Sequence, residues 1–378
     1  MRRRRGISTN RWGSRASASA SVRWQRLVPL CLAVVTAGFT PACGSSDDVA
    51  GDQGIPGAFA TQAVDVSPGA APTWVVRAPA GQSFARIAAA GSYIYFAAKS
   101  AGLYRAHKDG RGAEIVEAGT ATYSEVAAGP GDVYWLKTTF DEAGSPHAQI
   151  QHQVVGTDQV TTRLTGDWST LWSKTALHFQ ADASGVYLTA TPRGAHTAGI
   201  DNVPVTGGAP IEMLAISDVA ESPIWAVDAR DLYFTACHEE LCGLSRASKS
   251  GGAVTPLAEL PASFAAVRAV DEEAVYVTTS TALWRIEKTG GEPIVLFAQR
   301  GAVVLPHIAV DADNVVFIEN RFGADRIRTV PKRGGVAQVL VMAAFPKGIN
   351  QLVQDEANVY LLHGADEILV ASKAPPVR

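Results

Sequence analysis

The stretch VRAVDEEAVYVTTSTALWRIEKTGGEPIVLF, residues 267–297, holds one complete unit of the pattern that decides the fold. Val267 to Val270 is a short β-prone run, Asp271 opens a turn, and Tyr276 centres a second run. Leu283-Trp284-Arg285 marks a third run, Lys288-Thr289-Gly290-Gly291 a tight turn, and Pro293 to Phe297 a fourth run. β-Branched and aromatic side chains suit a pleated, half-buried surface, and paired glycines supply the positive φ angles of a hairpin. The unit reads as four antiparallel strands.

The same order recurs along the chain. Aromatic anchors stand at Tyr95, Tyr134, Tyr187, Tyr233, Tyr276, Phe317 and Tyr360, spaced 39, 53, 46, 43, 41 and 43 residues apart. Strand-only repeats of about 40 to 50 residues are the mark of a β-propeller, because each sheet must stack on its neighbours to bury both faces. The predicted fold class is therefore all-β, a propeller of seven blades with four antiparallel strands each. The last repeat ends at Ile368 to Ser372 without a fourth strand, and Thr73 to Ala78 stands unassigned before the first. Pairing the two closes the ring with an N-terminal strand and leaves no sheet edge bare.

Asp or Gly, then Val-Tyr-aromatic, then Lys-x-Gly-Gly resembles the repeat of bacterial exported propellers of the TolB-like and YWTD-like type. Val133-Tyr134-Trp135 is the nearest match, and the likeness runs from about Arg86 to Ala371. It implies a blade and carries no catalytic residue with it.

The N-terminus reads as an address. Eight arginines and no acid precede an apolar run, Leu27 to Phe39, which is too short for a span of about 20 residues. Residues 1–43 are read as an export signal. Cys43-Gly44-Ser45-Ser46-Asp47-Asp48 resembles the start of a mature bacterial lipoprotein, which implies lipidation at Cys43; the alternative is plain secretion after cleavage near Ala42. Residues 44–72, rich in Gly, Ala, Ser, Pro and Asp, are read as a flexible tether, and residues 73–378 as the propeller. The expected location is the cell envelope, periplasm-facing or on the surface.

Removing residues 1–43 leaves 25 basic against 36 acidic residues, a formal charge of −11. Such a surface repels phosphate backbones, so nucleic acid is excluded as a partner, and the lipid is the one expected membrane contact. The chain holds no Gly-x-Ser-x-Gly elbow, no phosphate-binding glycine loop and no His-Glu-x-x-His. No cofactor, catalytic group or metal site is predicted.

Repeat length varies mainly between the second and third strands, and insertions in repeat proteins mark the binding face. The candidates there are Phe140, Asp141, Glu142 and His147 in the second blade, Arg193 and His196 in the third, His238, Glu239 and Glu240 in the fourth, Asn320, Arg321 and Phe322 in the sixth, and His363, Asp366 and Glu367 in the seventh. Trp168 and Trp172, in the link before the third blade, are placed to stack on a sugar or peptide. Each residue has a plainer reading, a solvated loop or packing between blades. Cys237 and Cys242 are read as a structural disulfide across the fourth-blade loop, rather than as redox or metal groups. The recurrent turn aspartates, Asp182, Asp228, Asp271, Asp311 and Asp355 among them, are read as Asx-type turn formers.

The sequence thus points to a non-catalytic envelope propeller that binds a protein, peptide or glycan through one loop face. The competing class is an exported polysaccharide or peptide hydrolase or lyase with its site at the channel mouth. Propellers serve both, so the decision belongs to the site.

Overall fold

The computed structural model describes residues 59–62, 71–167, 178–190, 197–217, 225–238, 240–262, 264–298, 302–321, 324–341 and 345–373. The export signal, Cys43 and most of the tether lie outside them, as do Trp168, Trp172, Arg193, His196 and Glu239. Every element among the described residues is a strand, and the strands form seven antiparallel sheets.

The innermost strands of blades 1 to 7 are Phe84–Ala90, Thr122–Gly129, Phe179–Asp182, Trp225–Val227, Ala265–Val270, Ala302–Val310 and Ile349–Gln354. Each touches the next one round, and the seventh returns to the first. The ring therefore encloses an axial channel. Blades 1 to 6 take their four strands consecutively, whereas blade 7 takes its outer strand, Thr73–Arg77, from the N-terminal side. That strand pairs with Glu367–Ser372, through Thr73 with Val370 and Arg77 with Glu367, so the ring is closed by an N-terminal strand. Ala60–Thr61, inside the stretch read from sequence as tether, adds a fifth strand beside it. The cause is Phe59, whose ring packs 5.3 Å from Phe96 and 4.4 Å from Tyr104.

Six of the seven anchors behave alike. Tyr95, Tyr134, Tyr187, Tyr233, Tyr276 and Tyr360 are buried and follow the turn at the same register. Phe317 departs by one residue. In blade 6 the turn pairs Asp311 with Asn314, so the position equivalent to Tyr360 is Val316. Strand alternation then sends Phe317 to the opposite face, toward blade 5, where its ring lies 4.9 Å from Phe297.

A second, polar device repeats at the seams. The lysine that follows the third strand reaches back to the turn aspartate of the preceding blade: Lys249 to Asp182, Lys288 to Asp228, Lys332 to Asp271 at 2.6 Å, Lys373 to Asp311 at 2.6 Å, and Lys108 to Asp355 at 3.0 Å. The aspartate also closes its own turn, as Asp355 does by accepting from the N–H groups of Ala357 and Asn358 and from the Tyr360 hydroxyl. Burial alone would raise these carboxyls. The lysines and turn N–H groups overcome it and hold Asp228, Asp271, Asp311 and Asp355 below the ordinary aspartate range.

Two seams lack the pair. Val155 and Val205 occupy the lysine position, recognisable because each donates its backbone N–H to the turn carbonyl at the same place as Lys288 does. Opposite them stand Ala90 and Gly129 in place of aspartate. An added Cβ at Gly129 would lie 3.0 Å from the Asp182 carbonyl oxygen, which leaves no room for a carboxylate. Where one half of the ion pair is missing, the other half is replaced by an apolar residue. An unpaired buried charge is thereby avoided.

With both side chains mostly buried, Lys288→Met strands Asp228 and is expected to cost about 3 kcal/mol. Lys288→Val with Asp228→Gly, the combination found at the seam of blades 2 and 3, should recover part of that loss. Thermal melting checks both, and an unchanged midpoint for Lys288→Met would show that the pair contributes nothing.

Candidate functional site

Antiparallel order fixes two unlike rims. The aspartate and glycine turns share one, and the hairpins between second and third strands share the other with the links between blades. On the hairpin rim, blades 1, 5 and 7 have second and third strands of six residues. Blades 2, 4 and 6 have nine or eight: Asp132–Phe140 with Pro146–Val154, Asp231–His238 with Leu241–Ser248, and Asn314–Arg321 with Ala324–Pro331. Two or three further residues at about 3.4 Å each raise these hairpins roughly 7 to 10 Å above the ring. Blades 2, 4 and 6 thus carry raised posts on this rim; in blade 3 the third strand, Thr197–Pro204, is also eight residues long, and its hairpin tip, residues 191–196, lies outside the described residues.

The posts hold the predicted candidates that the structure describes. Phe140 and Leu241 are exposed large apolar side chains at the tips of the blade 2 and blade 4 hairpins, 62% and 53% accessible. Asp141 accepts the Ser145 N–H at 2.7 Å and lies 3.4 Å from His147 Nε2, so it shapes its own tip; the Ser145 bond holds its carboxyl below the usual range. Glu142 is exposed beside it. Cys237 and Cys242 are disulfide-bonded across the base of the blade 4 tip. Arg321 ends the second strand of blade 6. His363 is placed differently from the others, buried in blade 7 with Nδ1 2.8 Å from Glu367 and its ring edge-on to Phe345. The structure does not bring these residues together.

What converges lies beneath the posts, in the channel. Measured from the inner residue that pairs with the anchor position, Arg86, Glu125, His178, His307 and Gln351 all sit two places earlier, on blades 1, 2, 3, 6 and 7. Arg268 joins the same level from blade 5. It occupies a β-bulge between Val267 and Ala269, and its Nε donates to Thr278 Oγ1 at 3.0 Å. Bulges also interrupt the inner strands just before Arg86 and Glu125 and beside Gln351. A bulge re-aims a side chain, and here it turns polar residues toward the axis at one height.

The belt is electrostatically coupled. The charges of Arg86 and Arg268 act on both His178 and His307, although blades 1 and 5 are separated from blade 3 by whole blades, so the coupling runs across the channel. Burial lowers both imidazoles to about 4, and the arginines push the same way. His178 is held by the Gln180 amide at 2.8 Å and packs edge-on against Trp225. Burial raises Glu125 to about 7 against the pull of Arg86, 3.2 Å away. Burial also lowers Arg268 to about 10, and no carboxylate pairs with it among the described residues. Gln351 is committed elsewhere: its amide brackets the backbone N–H and carbonyl of Ile87, both at 2.8 Å, locking blade 7 to blade 1.

On the opposite rim a cleft of about 870 Å³ runs over blades 6, 7 and 1, but its floor is the Lys108–Asp355 and Lys373–Asp311 pairs of the seams. Lys108, Asp355, Lys373 and Asp311 are thus committed to holding the blades together. No group of three or more His, Cys, Asp or Glu among the described residues is arranged to hold a metal ion.

No protein-family model and no characterised sequence matches the chain. Solved structures do, at low identity. Oligogalacturonate lyase from Vibrio parahaemolyticus is 11% identical with a TM-score of 0.55, over 84% of this chain and 98% of that one. YCF48 from Cyanidioschyzon merolae is 12% identical with a TM-score of 0.53, over 80% and 98%. An acylaminoacyl peptidase is 9% identical with a TM-score of 0.57, over 78% of this chain, which spans about half, 51%, of the peptidase. The lyase and YCF48 are β-propeller proteins, and the likeness establishes that fold.

The belt predicts a pH response. A histidine whose folded pKa of about 4 lies below its ordinary 6.5 contributes stability above pH 6.5 that is lost as the pH falls toward 4. Glu125, raised from 4.5 to about 7, acts oppositely, its contribution fading as the pH rises from 4.5 through 7. In melting curves from pH 4 to 8, His178→Gln with His307→Gln should flatten the acid limb, and Glu125→Gln the limb between 4.5 and 7. Unchanged limbs would remove these groups from the buried belt.

Proposed function

We propose that this chain is a non-catalytic propeller of the cell envelope, of the TolB-like or YWTD-like kind, held by a lipid at Cys43, that binds a protein, peptide or glycan with its hairpin rim. The carrying observation is the lengthening of the blade 2, 4 and 6 hairpins on that one rim. Phe140 and Leu241 supply apolar contact at the tips of two posts, and the Cys237–Cys242 bond stiffens one of them. Preordered, partly apolar tips around a depression lower the entropy lost on binding. The Arg-rich leader and the acidic remainder suit an exported, tethered domain. YCF48, similar in fold, has been solved bound to the D1 peptide, an instance of peptide binding on this architecture.

The test compares capture from envelope extract by the mature chain and by two variants. Phe140→Asp with Leu241→Asp should abolish a specific partner, whereas Val336→Asp, exposed beside the Gly334-Gly335 turn on the other rim, should keep it. The reverse pattern would sink the rim as the working face.

One observation favours the enzymatic reading. Glu125, a channel carboxyl near 7 beside Arg86, is able to take and return a proton at neutral pH, as a general acid or base in a hydrolase or lyase must. The expected result for a binding propeller is that Glu125→Gln changes no turnover of envelope polysaccharide or peptide. Turnover by the native chain that this variant loses, while it still melts normally, would establish the enzyme.

A further inference from the structure

Arg268 is a half-buried cation with a donor fork, and among the described residues no carboxylate pairs with it. Its Nε is tied to Thr278, which leaves the two terminal amino groups of the guanidinium for another partner. The other charged members of the belt do not serve it. Glu125 is engaged by Arg86, and the imidazoles of His178 and His307 are neutral above about pH 4. Withdrawing a guanidinium from water without a counter-charge is costly, and the fold accepts that cost at a bulge that turns this one residue to the axis. The rest of the chain beyond residue 43 carries a formal charge of −11, so an exposed anion is repelled elsewhere and drawn to this level.

We propose that the channel belt is a carboxylate-binding site, in which the Arg268 guanidinium grips a single carboxylate that enters from the hairpin rim. The inference rests on the hairpin rim being the working face, and it names the chemistry of what reaches below the posts. Above about pH 7, where Glu125 is ionised and neutralises Arg86, a monoanion matches the one positive charge that is left, and a planar carboxylate matches the fork with two parallel hydrogen bonds. A phosphate dianion fits worse, since it would leave a second charge unpaired next to the Glu125 carboxyl. The carboxylate can belong to a sugar acid or to the end of a peptide chain, and the two sources separate by experiment.

Isothermal titration of the full mature chain at pH 8, where Glu125 is ionised and inorganic phosphate is the dianion, would use glucuronate and N-acetyl-alanine as acids, glucose and N-acetyl-alanine amide as their neutral counterparts, and inorganic phosphate. At least one acid should saturate below about 10 mM, and neither neutral compound should bind. Binding of glucuronate alone assigns the site to a sugar acid, binding of N-acetyl-alanine alone to a chain end, and both outcomes support the site. Arg268→Gln should weaken the acid by about 10-fold or more, with Arg268→Lys, which keeps the charge and loses the fork, in between. The lysine variant also decides the matter if the glutamine variant melts early. No acid bound, equal binding by the neutral compounds, tighter binding of phosphate, or an affinity indifferent to both Arg268 variants would overturn the proposal. Capture of a rim partner by Arg268→Gln at native strength, alongside any of those results, would leave the rim standing and remove only the carboxylate site.

Discussion

A four-stranded sheet that is apolar on both faces cannot stand alone in water, and that constraint organises the molecule. The buried side chains among the described residues fall into seven clusters, and each cluster straddles one seam between neighbouring blades. Hydrophobic burial drives the stacking but is indifferent to register. The lysine–aspartate pairs supply what burial lacks. Each lysine reaches one particular turn, and at three seams its ammonium also lies over the ring of the preceding blade's tyrosine, 4.5 Å from the ring centre at Tyr187. At five of the seven seams the pairs therefore fix how far one sheet is rotated on the next, and with it the height at which the inner strands present Arg86, His178 and His307.

Registering the blades at one end leaves the other end free to vary. The turn rim is spent on holding the ring together, down to the floor of the cleft over blades 6, 7 and 1. Among the described residues the hairpin rim carries no equivalent repeated pair, and the differences in strand length accumulate there. The axial belt lies between the two, close enough to the conserved geometry of the seams to be precise and close enough to the hairpins to meet whatever they hold.

Much of this was legible in the chain. The spacing of Tyr95 to Tyr360 gave the blade count, and the missing fourth strand after Ser372 pointed to Thr73–Arg77. Phe317 misled by one residue, because an aromatic at the right distance looks the same whichever face of a strand it occupies. The turn aspartates were understood only halfway: Asx bonding is local and visible in sequence, whereas the lysine of the next blade is about 60 residues away for Lys288 and Asp228. The Lys of the Lys-x-Gly-Gly turn was seen as punctuation and is a seam contact. The belt had no motif to betray it. Its members stand one per repeat among Ala, Val and Ile, and Arg268 enters it through a bulge that shifts the period by one, which no count of alternating residues reveals.

Blade 7 is the one sheet made from both ends of the domain, and this gives the ring a mechanical weak point with a definite polarity. Force applied to the chain ahead of Phe59 reaches the propeller at Ala60–Thr61 and then at Thr73–Arg77, the outermost strand of that sheet. Such a load is borne first by the packing of Phe59 on Phe84, Phe96 and Tyr104, a latch seated on blade 1, before any hydrogen bond of the closing strand is strained. A domain pulled from the chain ahead of Phe59 thus yields first at the latch, and blades 2 to 6 feel the tension only after it has slipped.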